Sequence, residues 1–254
     1  MAGTVEPDVR PEADVEVEGT ESPERITVED RADKAVFSNG LVTVTCNKHS
    51  GLATFSWNGA PRVKNAYSSV KLGKIVKSTD YTHHEYDKNS ISLNDGIGSG
   101  RRFTIVHNAK DQPDLLLHFT LYEGKPFFLL QTEVRSSQRL STNYLAAIVV
   151  ESQGGVDIGK ANQNRALRVP YDNDVWIRFE SVDINSSGSG VSSEATAIYD
   201  NASRNGLIFG SVTHDTWKTG INFTASDGKL DKLEVFGGMA LEEYSPLPGA
   251  LGAC

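Results

Sequence analysis

Asp114-Leu115-Leu116-Leu117-His118-Phe119-Thr120-Leu121-Tyr122, Glu123-Gly124-Lys125-Pro126 and Phe127-Phe128-Leu129-Leu130-Gln131-Thr132-Glu133-Val134 decide the fold class. The two outer blocks are apolar and aromatic, and the short block between them holds Gly and Pro. That is two strands joined by a turn. Pro126 cannot donate to a ladder, which puts it in the turn or at the first position of the returning strand.

The same pattern extends in both directions. Leu41-Val42-Thr43-Val44-Thr45-Cys46 alternates and is β-branched, and Asn47-Lys48-His49-Ser50-Gly51 separates it from Leu52-Ala53-Thr54-Phe55-Ser56-Trp57. This second hairpin places Val42, Val44 and Cys46 on one face, with Cys46 a small buried residue. Asn58-Gly59 marks the turn that follows. Further strands are expected over Arg102–His107, Leu145–Glu151, Trp176–Val182, Glu194–Tyr199 and Leu207–Val212. In the last pair Asn205-Gly206 is expected to supply the turn's positive φ. Ser186-Ser187-Gly188-Ser189-Gly190 reads as a flexible loop by composition. No apolar stripe at helical spacing lasts three turns, so little helix is expected. The fold class is all-β, a two-sheet antiparallel sandwich; a closed barrel fits the uneven strand spacing less well.

Charge divides the chain of 254 residues. Met1 to Glu24 carry eight acids against one base, while residues 25–254 hold 24 bases and 25 acids. The reading is an acidic disordered tail over 1–24, a sandwich domain over 25–240, and a linker or interrupted end over 241–254. The near-neutral domain lacks the basic excess that phosphate neutralisation needs, so no nucleic-acid partner is expected. The longest apolar run, Tyr144 to Val150, is far short of the roughly 18 residues of a spanning helix, and no membrane partner is expected. The first residues have neither a basic start nor an apolar stretch, so no export signal is read there.

Two polar-aromatic segments stand out. In Leu167-Arg168-Val169-Pro170-Tyr171-Asp172-Asn173-Asp174-Val175-Trp176-Ile177-Arg178-Phe179, Asp172 and Asp174 would share a strand face about 7 Å apart. Carboxylates so placed could grip sugar hydroxyls, bind Ca²⁺ or act as an acid/base pair, while Asp-Asn-Asp after Pro is equally good turn chemistry. In the second segment, His214-Asp215-Thr216-Trp217-Lys218 gathers an imidazole, a carboxylate, an indole and an amine. An indole stacking on a pyranose while polar groups take its hydroxyls is one reading; Trp217 as a core residue is the other. The substrate-binding candidates are therefore Asp172, Asp174, Trp176, Arg178, His214 and Trp217. His83-His84-Glu85 points alternately to opposite faces, and His49, His107 and His118 are scattered, so neither a metal nor any other cofactor is expected. Gly98-Ser99-Gly100 precedes no helix and is no phosphate loop.

The stretch Leu167 to Arg178, and Glu194 to Asp200 continuing through Gly206-Leu207-Ile208-Phe209-Gly210-Ser211-Val212-Thr213-His214-Asp215-Thr216-Trp217-Lys218-Thr219-Gly220, resemble the N-terminal domain of α-galactosidase-like glycoside hydrolases. The likeness runs in order of elements over roughly Asp33 to Gly238. It implies a β-supersandwich of the galactose-mutarotase-like kind that stands before a catalytic (β/α)₈ barrel in the same chain, the nucleophile and acid/base carboxylates lying in the barrel. After Gly238 this chain runs through Ser245-Pro246-Leu247-Pro248 without one. The resemblance therefore implies a carbohydrate-associated accessory module, read as a fragment with no catalytic residue of its own, whose partners are that barrel and a galactoside or other glycan. Members of the family are commonly exported. The competing expectations are a free-standing sugar mutarotase or epimerase with a His base and a Glu partner, and a lectin-like binding module.

Overall fold

The computed structural model describes residues 26–152, 155–159, 163–171, 178–185, 187–213 and 217–238, and the backbone of 251–253. In chain order the strands are β1 (Thr27–Asp30), β2 (Lys34–Ser38), β3 (Val42–Asn47), β4 (Ala53–Trp57), β5 (Ala60–Leu72), β6 (Lys74–Lys77), β7 (His83–Asn94), β8 (Ser99–Asn108), β9 (Asp114–Tyr122) and β10 (Phe128–Arg135). They continue as β11 (Leu145–Val150), β12 (Asn164–Arg168), β13 (Glu180–Asp183), β14 (Ser187–Ser193), β15 (Ala195–Asp200), β16 (Gly206–Gly210), β17 (Thr219–Ser226), β18 (Lys229–Gly237) and β19 (Leu251–Ala253). Among the described residues the helical element is one 3₁₀ turn, Ser78–Asp80.

Among the described residues every strand pairing is antiparallel. The largest sheet runs β1-β2-β3-β4-β5-β11-β18-β17-β14, with β6 folded back on β5. A five-stranded sheet runs β19-β10-β9-β8-β7, and a four-stranded one β13-β12-β15-β16. The protein is an all-β antiparallel sandwich, as its period-two patterning predicts.

Both deciding hairpins form. Leu130 faces Phe119 and Val134 faces Leu115 across β9 and β10, and Val42 faces Trp57 across β3 and β4. Val42, Val44 and Cys46 are all buried on one face, and burial pushes the Cys46 thiol up to about 12. Asn58 and Gly59 both have positive φ, 48° and 75°, the backbone of a type I′ turn. The sheets are held by rings that interlock between them. Phe37 of β2 stacks on Phe103 of β8 at 4.6 Å, and Phe55 of β4 meets Phe119 of β9 at 6.2 Å and Phe128 of β10 at 5.0 Å. Each such ring contributes about 1.5–3 kcal/mol through burial alone.

Three local expectations are corrected. Ser187 to Gly190 belong to β14, not to a loop. Here glycine serves close approach rather than flexibility. A Cβ at Gly188 would stand 2.9 Å from the Asp183 carbonyl oxygen, and one at Gly190 would stand 2.5 Å from Phe223 Cζ. Glu194 is not the first residue of its strand but a left-handed corner residue with φ 65°. Finally, the positive φ before β16 falls on Arg204, at 65°. Gly206 has moved into the strand, where a Cβ would meet the Ile198 carbonyl oxygen at 2.6 Å. Of the strand expected over 176–182, residues 176–177 lie outside the described residues, and β13 begins at Glu180.

Candidate functional site

A cleft of about 680 Å³ opens where the small sheet meets the free end of the large one. Its outer wall is the end of β12 and the residues before β13, and its floor is β14, β17 and β18. Pairing aligns Ser189 with Thr224 and Thr224 with Lys232 in one row. Val191, Asn222 and Glu234 form the next row. Paired residues of adjacent strands share a face, so these side chains stand together on the outer surface of the large sheet. Gly190 and Phe223 lie between the rows, and the bare glycine leaves room for both the Phe223 ring and the Arg168 stem, whose Cδ would be 3.3 Å from a Cβ there.

The polar groups are already oriented. Asn222 Nδ2 donates to Glu234 Oε2 at 2.8 Å, Tyr144 Oη donates to Glu234 Oε1 at 2.5 Å, and Lys232 Nζ stands 4.0 Å from Glu234 Oε2. Burial, and then the bond to Glu234, raise the Tyr144 phenol well above its ordinary value, so it stays a donor. Arg168 pairs with Glu180 across β12 and β13. Tyr171 is half exposed with the Lys218 ammonium 5.4 Å from its ring centre, and Phe179 is 59% exposed. Guanidinium, ammonium, amide and hydroxyl donors beside an exposed phenol ring are what a polyhydroxylated ligand needs: an apolar platform plus a few directed polar groups.

Of the six residues singled out from the sequence, two lie among the described residues, Arg178 and Trp217. Arg178 lines the cleft, exposed, close to Tyr171 and Glu180. Trp217 is 8% exposed and packs in a core cluster with Val70, Leu145 and Val134, so in the fold it is a packing residue. Asp172, Asp174, Trp176 and His214 lie outside the described residues. Sequence reading missed Ser189, Asn222 and Lys232, which reach the cleft only through strand pairing. It also missed the work of Glu194. Its Oε2 accepts from Ser211 Oγ at 2.7 Å, and its backbone N–H donates to the Thr219 carbonyl at 2.9 Å, tying together the ends of the second polar segment.

Two histidine clusters lie elsewhere. His118 is held from both sides: Nδ1 lies 2.9 Å from Thr104 Oγ1 and Nε2 lies 3.1 Å from Glu133 Oε2. Burial outweighs Glu133 and lowers the imidazole pKa, so this contact is a hydrogen bond of a neutral ring near pH 7. The Glu133 charge is answered by Arg135, which donates Nε and Nη2 to Oε1 at 3.1 and 2.8 Å. His84 of β7 and His107 of β8 meet inside the protein with their Nδ1 atoms 2.8 Å apart. Among the described residues no group of three His, Cys, Asp or Glu side chains is arranged to hold a metal ion. No family model matches the chain, and comparison with curated proteins finds no relative.

Proposed function

We propose that this chain is a non-catalytic, carbohydrate-associated sandwich module that holds a glycan in the cleft between Arg178 and Lys232, and that it serves a catalytic barrel of the α-galactosidase-like kind. The observation that carries the reading is the position of the cleft. Its wall is built by Arg168, Pro170, Tyr171 and Arg178, the two ends of the segment whose sequence resembles the N-terminal domains of those hydrolases. The donors and the exposed ring there suit hydroxyl-rich ligands. Such sites bind weakly, because exposed polar contacts add little over those made with water.

The isomerase alternative needs an imidazole free to take a substrate proton. Both His118 nitrogens are occupied, and His84 and His107 are 4% and 2% exposed. Those observations speak against His84, His107 and His118 as that base. Calorimetric titration with an α-galactoside trisaccharide tests the proposal. Heat is expected from the parent protein and loss of it from Arg178→Ala or Tyr171→Ala, with no nitrophenol released from a nitrophenyl α-galactoside above the buffer rate. Turnover by this chain alone, or titration heats unchanged in both variants, would defeat it.

A further inference from the structure

Three Asn-Gly pairs occur in the chain, at Asn39-Gly40, Asn58-Gly59 and Asn205-Gly206. Such a pair carries chemistry of its own. The main-chain nitrogen of the glycine can attack the side-chain carbonyl carbon of the asparagine, and the absence of a Cβ leaves that approach open. The sequence makes the three pairs alike, but the fold holds them very differently.

Asn39 is fully buried. Its Nδ2 donates to the carbonyls of Tyr122 and Lys125 at 2.7 and 2.8 Å, and its Oδ1 accepts from the N–H groups of Leu41 and Val42 at 3.1 and 2.8 Å. Four bonds keep that amide away from Gly40. Asn205 is exposed, yet its main chain is fixed on both sides. Its carbonyl accepts from the Asp200 N–H at 2.9 Å, and its N–H donates to Ser203 Oγ at 3.3 Å. Gly206 lies opposite Tyr199 in the sheet, where a Cβ would stand 2.9 Å from the Tyr199 Cβ.

Asn58 and Gly59 are both exposed, with open space around a Cβ built on Gly59. The Asn58 N–H is held by the Leu41 carbonyl at 2.9 Å. Among the described residues neither the Asn58 side chain nor the Gly59 N–H has a hydrogen-bond partner, so the peptide that must rotate for ring closure is the untethered one. The hairpin tip around it is loosely tied. Ser56 lies opposite Pro61, which has no N–H to give the ladder, and the register of β4 on β5 shifts between Phe55 and Ser56. Local opening is easiest where such bonds are few.

We propose that Asn58 is a site of spontaneous modification, converting to isoaspartate in the folded protein ahead of Asn39 and Asn205. The Gly59 nitrogen forms a bond to Asn58 Cγ, the Cγ–Nδ2 bond breaks, and the Gly59 amide proton leaves with the nitrogen as ammonia. Water then opens the five-membered imide at either carbonyl. One product is an ordinary aspartate; in the other the main chain runs through the former side chain. The second puts an extra methylene and a negative charge into a two-residue turn whose geometry has no room for either. It loosens the pairing of Trp57 with Ala60 and, beside it, the 2.8 Å bond from Trp57 Nε1 to the Pro126 carbonyl.

The test is incubation of the full chain at mildly alkaline pH, followed by peptide mass mapping and by methyl labelling with an isoaspartyl methyltransferase. The expected result is the mass gain of an amide-to-acid change, with methyl label, on the peptide holding Asn58, while those holding Asn39 and Asn205 lag. The mass gain separates it from Asp95-Gly96 and Asp227-Gly228, which can yield isoaspartate with none. In urea the three pairs converge in rate, and Asn58→Gln removes the signal from the folded protein. The proposal is overturned if Asn39 or Asn205 converts first in the folded protein, or if the same ranking persists in urea. It is equally overturned if Asn58 stays intact in the folded protein while the urea-unfolded chain converts.

Discussion

The buried pair His84 and His107 shows how single residues set the protein's response to acid. Burial, with the like-charge influence of each ring's neighbour after it, lowers both imidazoles, His107 to about 3. The unfolded chain, with ordinary histidines, therefore takes up protons below about pH 6.5 that the folded protein refuses. Stability is full above that pH and falls as pH drops toward 3, by about 1.4 kcal/mol per pH unit for His107, and the lowered His84 adds to the loss in the same direction. Denaturant unfolding at pH 7 and pH 5 should show this loss, and His107→Phe should flatten it; equal slopes in the two proteins would remove these rings as the cause. Two glycines separate strain from crowding. Gly59 has φ 75° and open space around a built Cβ, so Gly59→Ala should cost about 1–2 kcal/mol through backbone strain alone. Gly190 has no such φ, but a Cβ there would stand 2.5 Å from the Phe223 ring, and Gly190→Ala should cost about 1–3 kcal/mol by overpacking while also disturbing the cleft proposed for a glycan. Urea titrations of both variants, beside glycan binding, tell the two costs apart: only Gly190→Ala should weaken binding.

At the scale of elements, the hairpins were legible because each strand carries its own signal. β3 alternates with one face buried, and Asn58-Gly59 can only turn. β14 was not legible, since nothing local in a Gly/Ser run says that Phe223 and Asp183 need the room. The same cause hid most of the cleft. Arg178 stood in a readable segment, whereas Ser189, Asn222 and Lys232 come from three strands whose adjacency is a property of the sheet. Trp217 could be read either as platform or as core, and the decision lay with Leu145 and Val70, far away in sequence. Between the sheets, Phe119 touches Phe37, Phe55 and Phe128. Phe119→Ala should therefore cost about 3–5 kcal/mol, transfer plus cavity, seen as a lower denaturation midpoint with an unchanged slope. A cost below about 1 kcal/mol, the range of a surface position, would contradict this packing.

For the whole molecule, one buried cluster draws on all three sheets: Phe37 and Ile221 from the large one, Phe119 from the five-stranded one, Ile198 and Phe209 from the small one. Sheets that share a core lose it together, so unfolding should be a single transition with coincident midpoints by tryptophan fluorescence and far-ultraviolet dichroism. The cleft proposed for a glycan then rests on a rigid seat, its floor and wall belonging to one cooperative unit. The most direct check is an amide-resonance titration of the intact chain with an α-galactoside trisaccharide. Shifts gathered at Ser189–Val191, Asn222–Thr224 and Arg178–Glu180 are the expected result; a spectrum unmoved at saturating sugar, or shifts gathered along Phe128–Gln131 instead, would contradict a carbohydrate role for this cleft.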